Sequence, residues 1–228
     1  MIKDILQEIL DWSEVWAPLI PLIVLSFRGK QPAFLNPIII YLWFALVIDS
    51  IIDAGWKFGW KFEGAVPGWM HPNNYLYNIH SIVRFICFSS FFIMLKQPFH
   101  TRIKKIIPLL SLLFLIINFR FFENFYEVDT ISSRLFAVES GLLLFYCLQY
   151  YLFKLQEEDG VEKRGPAYWV VMGLSIYVVF NFFYFLFYTT LIESGYGKFV
   201  AYMWNYHNIT FIILCIFIAK AFHASGHK

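Results

Sequence analysis

Apolar residues run along this chain in long blocks separated by short polar punctuation. Seven blocks, at about 15–27, 34–54, 75–95, 106–121, 131–153, 167–190 and 199–222, predict helices that cross a bilayer or come near the length required. The first is short and broken by Pro18 and Pro21. Before it, Ile2, Ile5, Leu6, Ile9 and Trp12 recur near one side, with Lys3, Asp4, Glu8 and Asp11 elsewhere. That pattern predicts a helix over 1–14 that lies at the interface or extends the first span outward. The turns at 28–31 and 96–105 are basic, and QEEDGVEKRGP at 156–166 reads as a solvated turn. The longest connection, GWKFGWKFEGAVPGWMHP at 55–72, carries Trp56, Trp60 and Trp69 and reads as an aromatic belt in the headgroup layer.

Composition turns this pattern into a class. With 59% hydrophobic residues, 27 Phe in 228 positions, 15% charged residues and a mean hydropathy of +0.59, the chain is too apolar for a soluble domain of its size. The expectation is one all-α integral membrane domain, a seven-transmembrane-helix bundle in contact with the lipid bilayer. A net charge of +2 and the lack of a basic patch set nucleic acid aside. Cys87, Cys147 and Cys215 all fall in apolar runs, so neither a disulfide framework nor a metal or other cofactor is expected. An acidic N-terminus without a small-residue cleavage site predicts that the first span is retained.

Counted by span, six Lys and Arg fall on the N-terminal side of the membrane and eleven on the other. The positive-inside rule then puts the N-terminus outside and the C-terminus in the cytoplasm, in a multi-pass protein of the bacterial cytoplasmic (inner) membrane. With that orientation Asp49, His80, Arg84, Glu139, Asn181, His207 and Asn208 share a depth of about 8 to 16 Å below the outer ends of five spans. An ionisable group at such a depth needs a partner or a polar cavity. The layer is read as an outward-opening pocket for a small polar ligand or a proton, with Tyr77 and Trp204 completing the ligand-binding set. Asp53, Tyr75 and Tyr202 would share its rim, and the Leu-, Ile- and Phe-rich inner half would form a dry floor. A closed polar network is the other reading. Arg84 is expected to meet Glu139 or Asp49. His80 and His207 are either neutral hydrogen-bonding residues or titrating ones, with Asn78 or Asn208 as expected hydrogen-bond suppliers.

YLYNIHSIVRFI from Tyr75 matches YMWNYHNITFI from Tyr202 at Tyr, aromatic, Asn, His and Ile. The match fits a 3+1+3 arrangement of related halves, or two helices that face one site. Asp49 has no acidic counterpart in the sixth span and Glu139 none in the first, so the repeat alone does not decide.

Three functions compete. A receptor-like protein would relay a signal to a cytoplasmic partner or through a homo-oligomer. A transporter of a small polar solute would need broken helices, for which Gly141 and Gly173 are thin support. A metal-dependent hydrolase would need a ligand set, yet the HxxxH of His223 and His227 lies in the tail. No catalytic residue is assigned. Finally, AYWVVMGLSIYVVFNFFYFLF followed by WNYHNITFIILCIFIAKAF resembles a group of uncharacterised seven-span bacterial membrane proteins, on Trp169, Gly173, Tyr177, His207 and Asn208. The resemblance implies a seven-span fold and no activity.

Overall fold

A computed structural model describes residues 2–58, 74–97, 101–127, 130–156 and 165–225. These residues are 88% helical and contain no strand. The chain opens with α1 (Ile2–Asp11), a four-residue α2 (Ser13–Trp16) and α3 (Leu19–Arg28). The axis bends by 50° between α1 and the α2–α3 segment. Gly29 ends α3 with φ +67°, a left-handed conformation that costs glycine little. After a 3-10 turn at Ala33–Leu35 come α4 (Asn36–Phe58), α5 (Asn74–Met94), α6 (Thr101–Phe121), α7 (Ser133–Gln156), α8 (Pro166–Glu193) and α9 (Gly197–Ser225). Pro37 and Pro166 fall in first turns, where a missing N–H costs nothing. Most helices overrun the apolar blocks by a few residues, because a helix continues into the headgroup layer after its hydrophobic run ends. The belt reading of Trp60 and Trp69, and the solvated turn at 157–164, lie outside the described residues; Trp56 belongs to the end of α4.

Among the described residues, five helices are long and apolar enough to cross a membrane, or six if the bent α1–α3 segment counts as one. The helix α6 falls outside that count because Arg102, Lys104, Lys105 and Arg120 shorten its apolar run. The lateral surface agrees with immersion in lipid. Trp43, Val47, Leu113, Leu152, Phe187 and Ile216 are 50–58% exposed, whereas Asp49, Arg84, Glu139 and His207 are at most 5% exposed. A water-soluble domain would sort these residue types the other way round.

The segments close a ring in the order α2–α3, α4, α5, α7, α8, α9, and α9 packs back on α3. Helix α6 lies outside the ring against α5 and α7. Residues early in α5 meet residues early in α7, and farther along Phe92 stacks on Tyr146 (5.0 Å, 7°), so these two helices run parallel. The chain between them must therefore return across the bundle. Tyr146 Oη donates to the Lys104 carbonyl at 2.6 Å near the start of α6. Asn78 Nδ2 donates to the Phe125 carbonyl at 2.9 Å beyond its end.

The half of the ring near the C-terminal end is largely dry, built on Phe88, Phe91, Leu143, Leu174, Leu214 and Phe222, with Ser89 and Gln149 and, at its edge, Gln31, Gln97 and Lys104 as buried polar exceptions. At that end Arg28 bonds His223, and Gln31 accepts from Ser225. At the opposite end Gln7 Nε2 donates to Asn205 Oδ1 at 2.8 Å, and Lys57 pairs with Glu8. These contacts set α1 across the mouth of the ring.

Helices α8 and α9 approach most closely at Gly173, where an added Cβ would lie 2.6 Å from Phe217 Cβ and 3.3 Å from Leu214 Cα. Small residues permit such backbone proximity in membranes, and here the limit is Phe217 Cβ, which cannot move without its backbone, rather than a movable side-chain tip. We expect Gly173→Ala to destabilise the protein by about 1–3 kcal/mol through overpacking. Gly141→Ala, which would meet the Phe182 ring edge at 3.2 Å, should cost less because that ring can turn. Thermal unfolding in detergent compares the two, and equal losses would contradict this account.

Candidate functional site

Arg84 projects into the ring from α5 and is 5% exposed. Its Nε donates to Glu139 Oε1 at 2.6 Å and its Nη2 to Glu139 Oε2 at 2.7 Å, a bidentate pair across α5 and α7. Nη1 donates to Tyr177 Oη on α8 at 2.5 Å, and Ser81 Oγ donates to Glu139 Oε2. Every guanidinium nitrogen and both carboxylate oxygens are thus engaged. The long helix α5 makes this possible by placing Ser81, Arg84 and His80 on neighbouring positions of one inward face.

Each histidine leans on a polar residue of the preceding long helix. His80 Nδ1 lies 2.9 Å from Asp49 Oδ1 on α4, off the hydrogen-bond direction, so both oxygens of this fully buried carboxylate lack a donor. The other ring nitrogen, Nε2, is 3.3 Å from Tyr41 Oη, and the two rings stack at 5.7 Å. On α9, His207 Nδ1 is 2.5 Å from Asn181 Oδ1 of α8, and Nε2 is 3.1 Å from Glu14 Oε1 of α2. Asn181 uses its amide nitrogen on the Tyr177 carbonyl at 2.8 Å, which turns its oxygen towards His207. Both ring nitrogens therefore have an oxygen partner, one from α8 and one from α2.

His80 and His207 line one internal space of about 20 Å³ with Arg84, Glu14, Tyr177 and Trp204. A water needs about 10–15 Å³ by this measure, so the space fits one water and no organic molecule. Tyr77 and Trp204 close it towards the N-terminal end, packed edge to face at 6.1 Å, with Trp204 stacked on His207 at 4.9 Å. The same two rings form the floor of an open vestibule of about 690 Å³ between α1, α4 and α5.

The structure brings Asp49, Tyr77, His80, Arg84, Glu139, Asn181, Trp204 and His207 into one cluster. Asn208 stands apart from the internal space: its Nδ2 bonds the Leu10 carbonyl at 3.1 Å and ties α9 to α1. Asn78 likewise serves a carbonyl rather than a histidine. Of the expected rim, Asp53 lines the vestibule, but Tyr75 packs on Tyr126 at 6.3 Å and Tyr202 is exposed. Sequence reasoning missed Glu14, Ser81, Tyr41 and the hydroxyl role of Tyr177. Glu14 had a readable signal: the chain carries no further charge until Arg28, so this acid already belongs to the apolar run. Among the described residues, no three His, Cys, Asp or Glu side chains converge as metal ligands. Comparison with protein-family models, curated proteins and solved structures found no match to this chain.

Removing one partner of the Arg84–Glu139 pair strands the other charge inside the ring. Arg84→Met should therefore cost about 3–5 kcal/mol of stability, and adding Glu139→Leu should restore much of it. Unfolding of the two single variants and the double variant tests this. Additive losses would mean that the pair does not act as a unit.

Proposed function

We propose that this chain is a receptor-like sensor of seven spans in a bacterial cytoplasmic membrane, N-terminus outside and C-terminus in the cytoplasm, which relays a signal from its outer polar layer to a cytoplasmic partner. The observation that carries the reading is that one buried polar layer draws side chains from every segment of the ring. Glu14, Asp49, Arg84, Glu139, Asn181 and His207 come from α2, α4, α5, α7, α8 and α9 in turn. A stimulus in this layer touches side chains from all six segments. The polar layer faces the vestibule, while the opposite half is largely dry. That asymmetry suits a one-sided receptor better than a transporter, which needs polar access from both sides.

Two features support the count of seven. Helix α6 traverses the bundle between the levels of Tyr146 and Asn78. Its terminal Lys and Arg can snorkel while the run between them crosses hydrocarbon. The ring order also suits two related halves, α2–α5 and α7–α9, joined by α6. Each half offers an acid on its first member (Glu14, Glu139), a polar neighbour for the histidine on its second (Asp49, Asn181), and aromatic-x-x-His on its third. The seven-span family resemblance drawn from Trp169, Gly173, Tyr177, His207 and Asn208 belongs to the same proposal.

A relay requires that disturbing the outer network move the inner helix ends. Spin labels at Met94 and Leu155, near the inner ends of α5 and α7, should report a distance change of about 1–2 Å or more in His207→Gln. An unchanged distribution with lower thermal stability alone would mean a static structural network and would sink the reading. Orientation has its own check. A cysteine at Lys198 should react with an impermeant thiol reagent in intact cells, and one at Lys105 only after the membrane is opened; the reverse pattern would invert the topology.

A further inference from the structure

The vestibule above the Tyr77–Trp204 pair has a chemical character that the network below does not explain. Its walls carry four acids, Asp4, Glu8, Asp11 and Asp53, against one base, Lys57. Aromatic rings fill much of the rest, from Trp12, Trp56, Tyr77 and Trp204. At about 690 Å³ it falls within the range of small-molecule sites, about 300–1,000 Å³. Asp53 Oδ2 is buried against this space and meets no hydrogen-bond donor.

One cation already sits here in a recognisable manner. The Lys57 ammonium pairs with Glu8 and lies 5.1 Å above the Trp12 ring. An ammonium held between a carboxylate and an aromatic face is the arrangement by which proteins bind alkylammonium ligands. Beyond it the vestibule keeps a second set of the same parts, the Asp53 carboxylate with Trp56, Tyr77 and Trp204, with no second base among the described residues.

We propose that the vestibule binds an organic ammonium ion, with Asp53 as counter-charge and the surrounding indole and phenol rings as its cage. Lys57 is the tethered cation of the site and opposes the incoming one. The ligand's apolar body rests on Trp204 and Tyr77, the two rings that also cover His207 and the internal space, so occupancy bears directly on the buried network. The inference takes its biological meaning from the sensor reading, but binding and relay fail separately.

The test uses the full chain in lipid nanodiscs and benzyltrimethylammonium as the probe, followed by tryptophan fluorescence and calorimetry. Benzyl alcohol and phenylacetate serve as the neutral and anionic counterparts. Saturable binding of the cation alone is expected, weakened about tenfold by Asp53→Asn and by Trp56→Leu, as loss of one cation contact implies. Lys57→Met should strengthen binding severalfold, a gain that a misfolded variant cannot imitate. Binding of benzyl alcohol or phenylacetate in the same range would overturn the proposal, as would failure of the cation to saturate. Indifference of cation binding to both Asp53→Asn and Lys57→Met would overturn it as well. If the probe binds as expected while spin labels at Met94 and Leu155 stay still, the ammonium site stands and the relay falls. If the probe does not bind while His207→Gln still moves those labels, the relay stands and the ammonium site falls.

Discussion

A guanidinium cannot remain in the interior of a lipid-immersed ring without a full set of acceptors, and the arrangement of this bundle follows from that requirement. Arg84 needs Glu139 on α7 and Tyr177 on α8 at fixed distances, which sets the register of three helices at once. The desolvation of such a pair is expensive and is offset only when geometry and hydrogen bonding are nearly complete. Here Ser81 occupies remaining acceptor capacity on Glu139. The pair therefore contributes more to specifying which helices meet, and at what height, than to net stability.

Around that fixed point the two histidines are treated differently. His207 is held at both ring nitrogens by oxygens from two other helices. His80 has a close but poorly aligned carboxylate and a long contact to a tyrosine. A match at five positions in sequence thus supports two unequal environments, one tightly satisfied and one with bonding capacity left over. Arg84 adds to the inequality, because the aligned position on α9 is Phe211.

Much of this was legible in the chain. Hydrophobic blocks located the helices to within a few residues, and polar residues at a shared depth identified all but one of the charged members of the cluster. What escaped reading has physical causes. Glu14 follows Asp11 and Trp12 at the edge of a short, proline-broken run, so the uncharged stretch up to Arg28 was the sign that it belongs inside, where the structure buries it just past the bend. Tyr177 read as one aromatic among many, since a phenol shows its polar use only when a donor is brought to its oxygen. Conversely, Tyr75, Tyr202 and Asn208 shared depth and type with true members but face elsewhere on their helices. Depth is readable from position along a span, whereas facing needs knowledge of neighbours.

The mounting of Glu14 has a mechanical side. Helix α2 is a single turn, set off from α1 by the bend and followed by Pro18. Proline has no amide hydrogen to give, so the carbonyl of Glu14 loses the helical partner that a residue four places on would supply, and Pro21 does the same to Ala17. The backbone under this acid is thus jointed on both sides, while the helices that hold His207 and Asn181 are long and continuous. Glu14 is therefore the one member of the layer held on a segment whose backbone lacks a regular run of hydrogen bonds on either side.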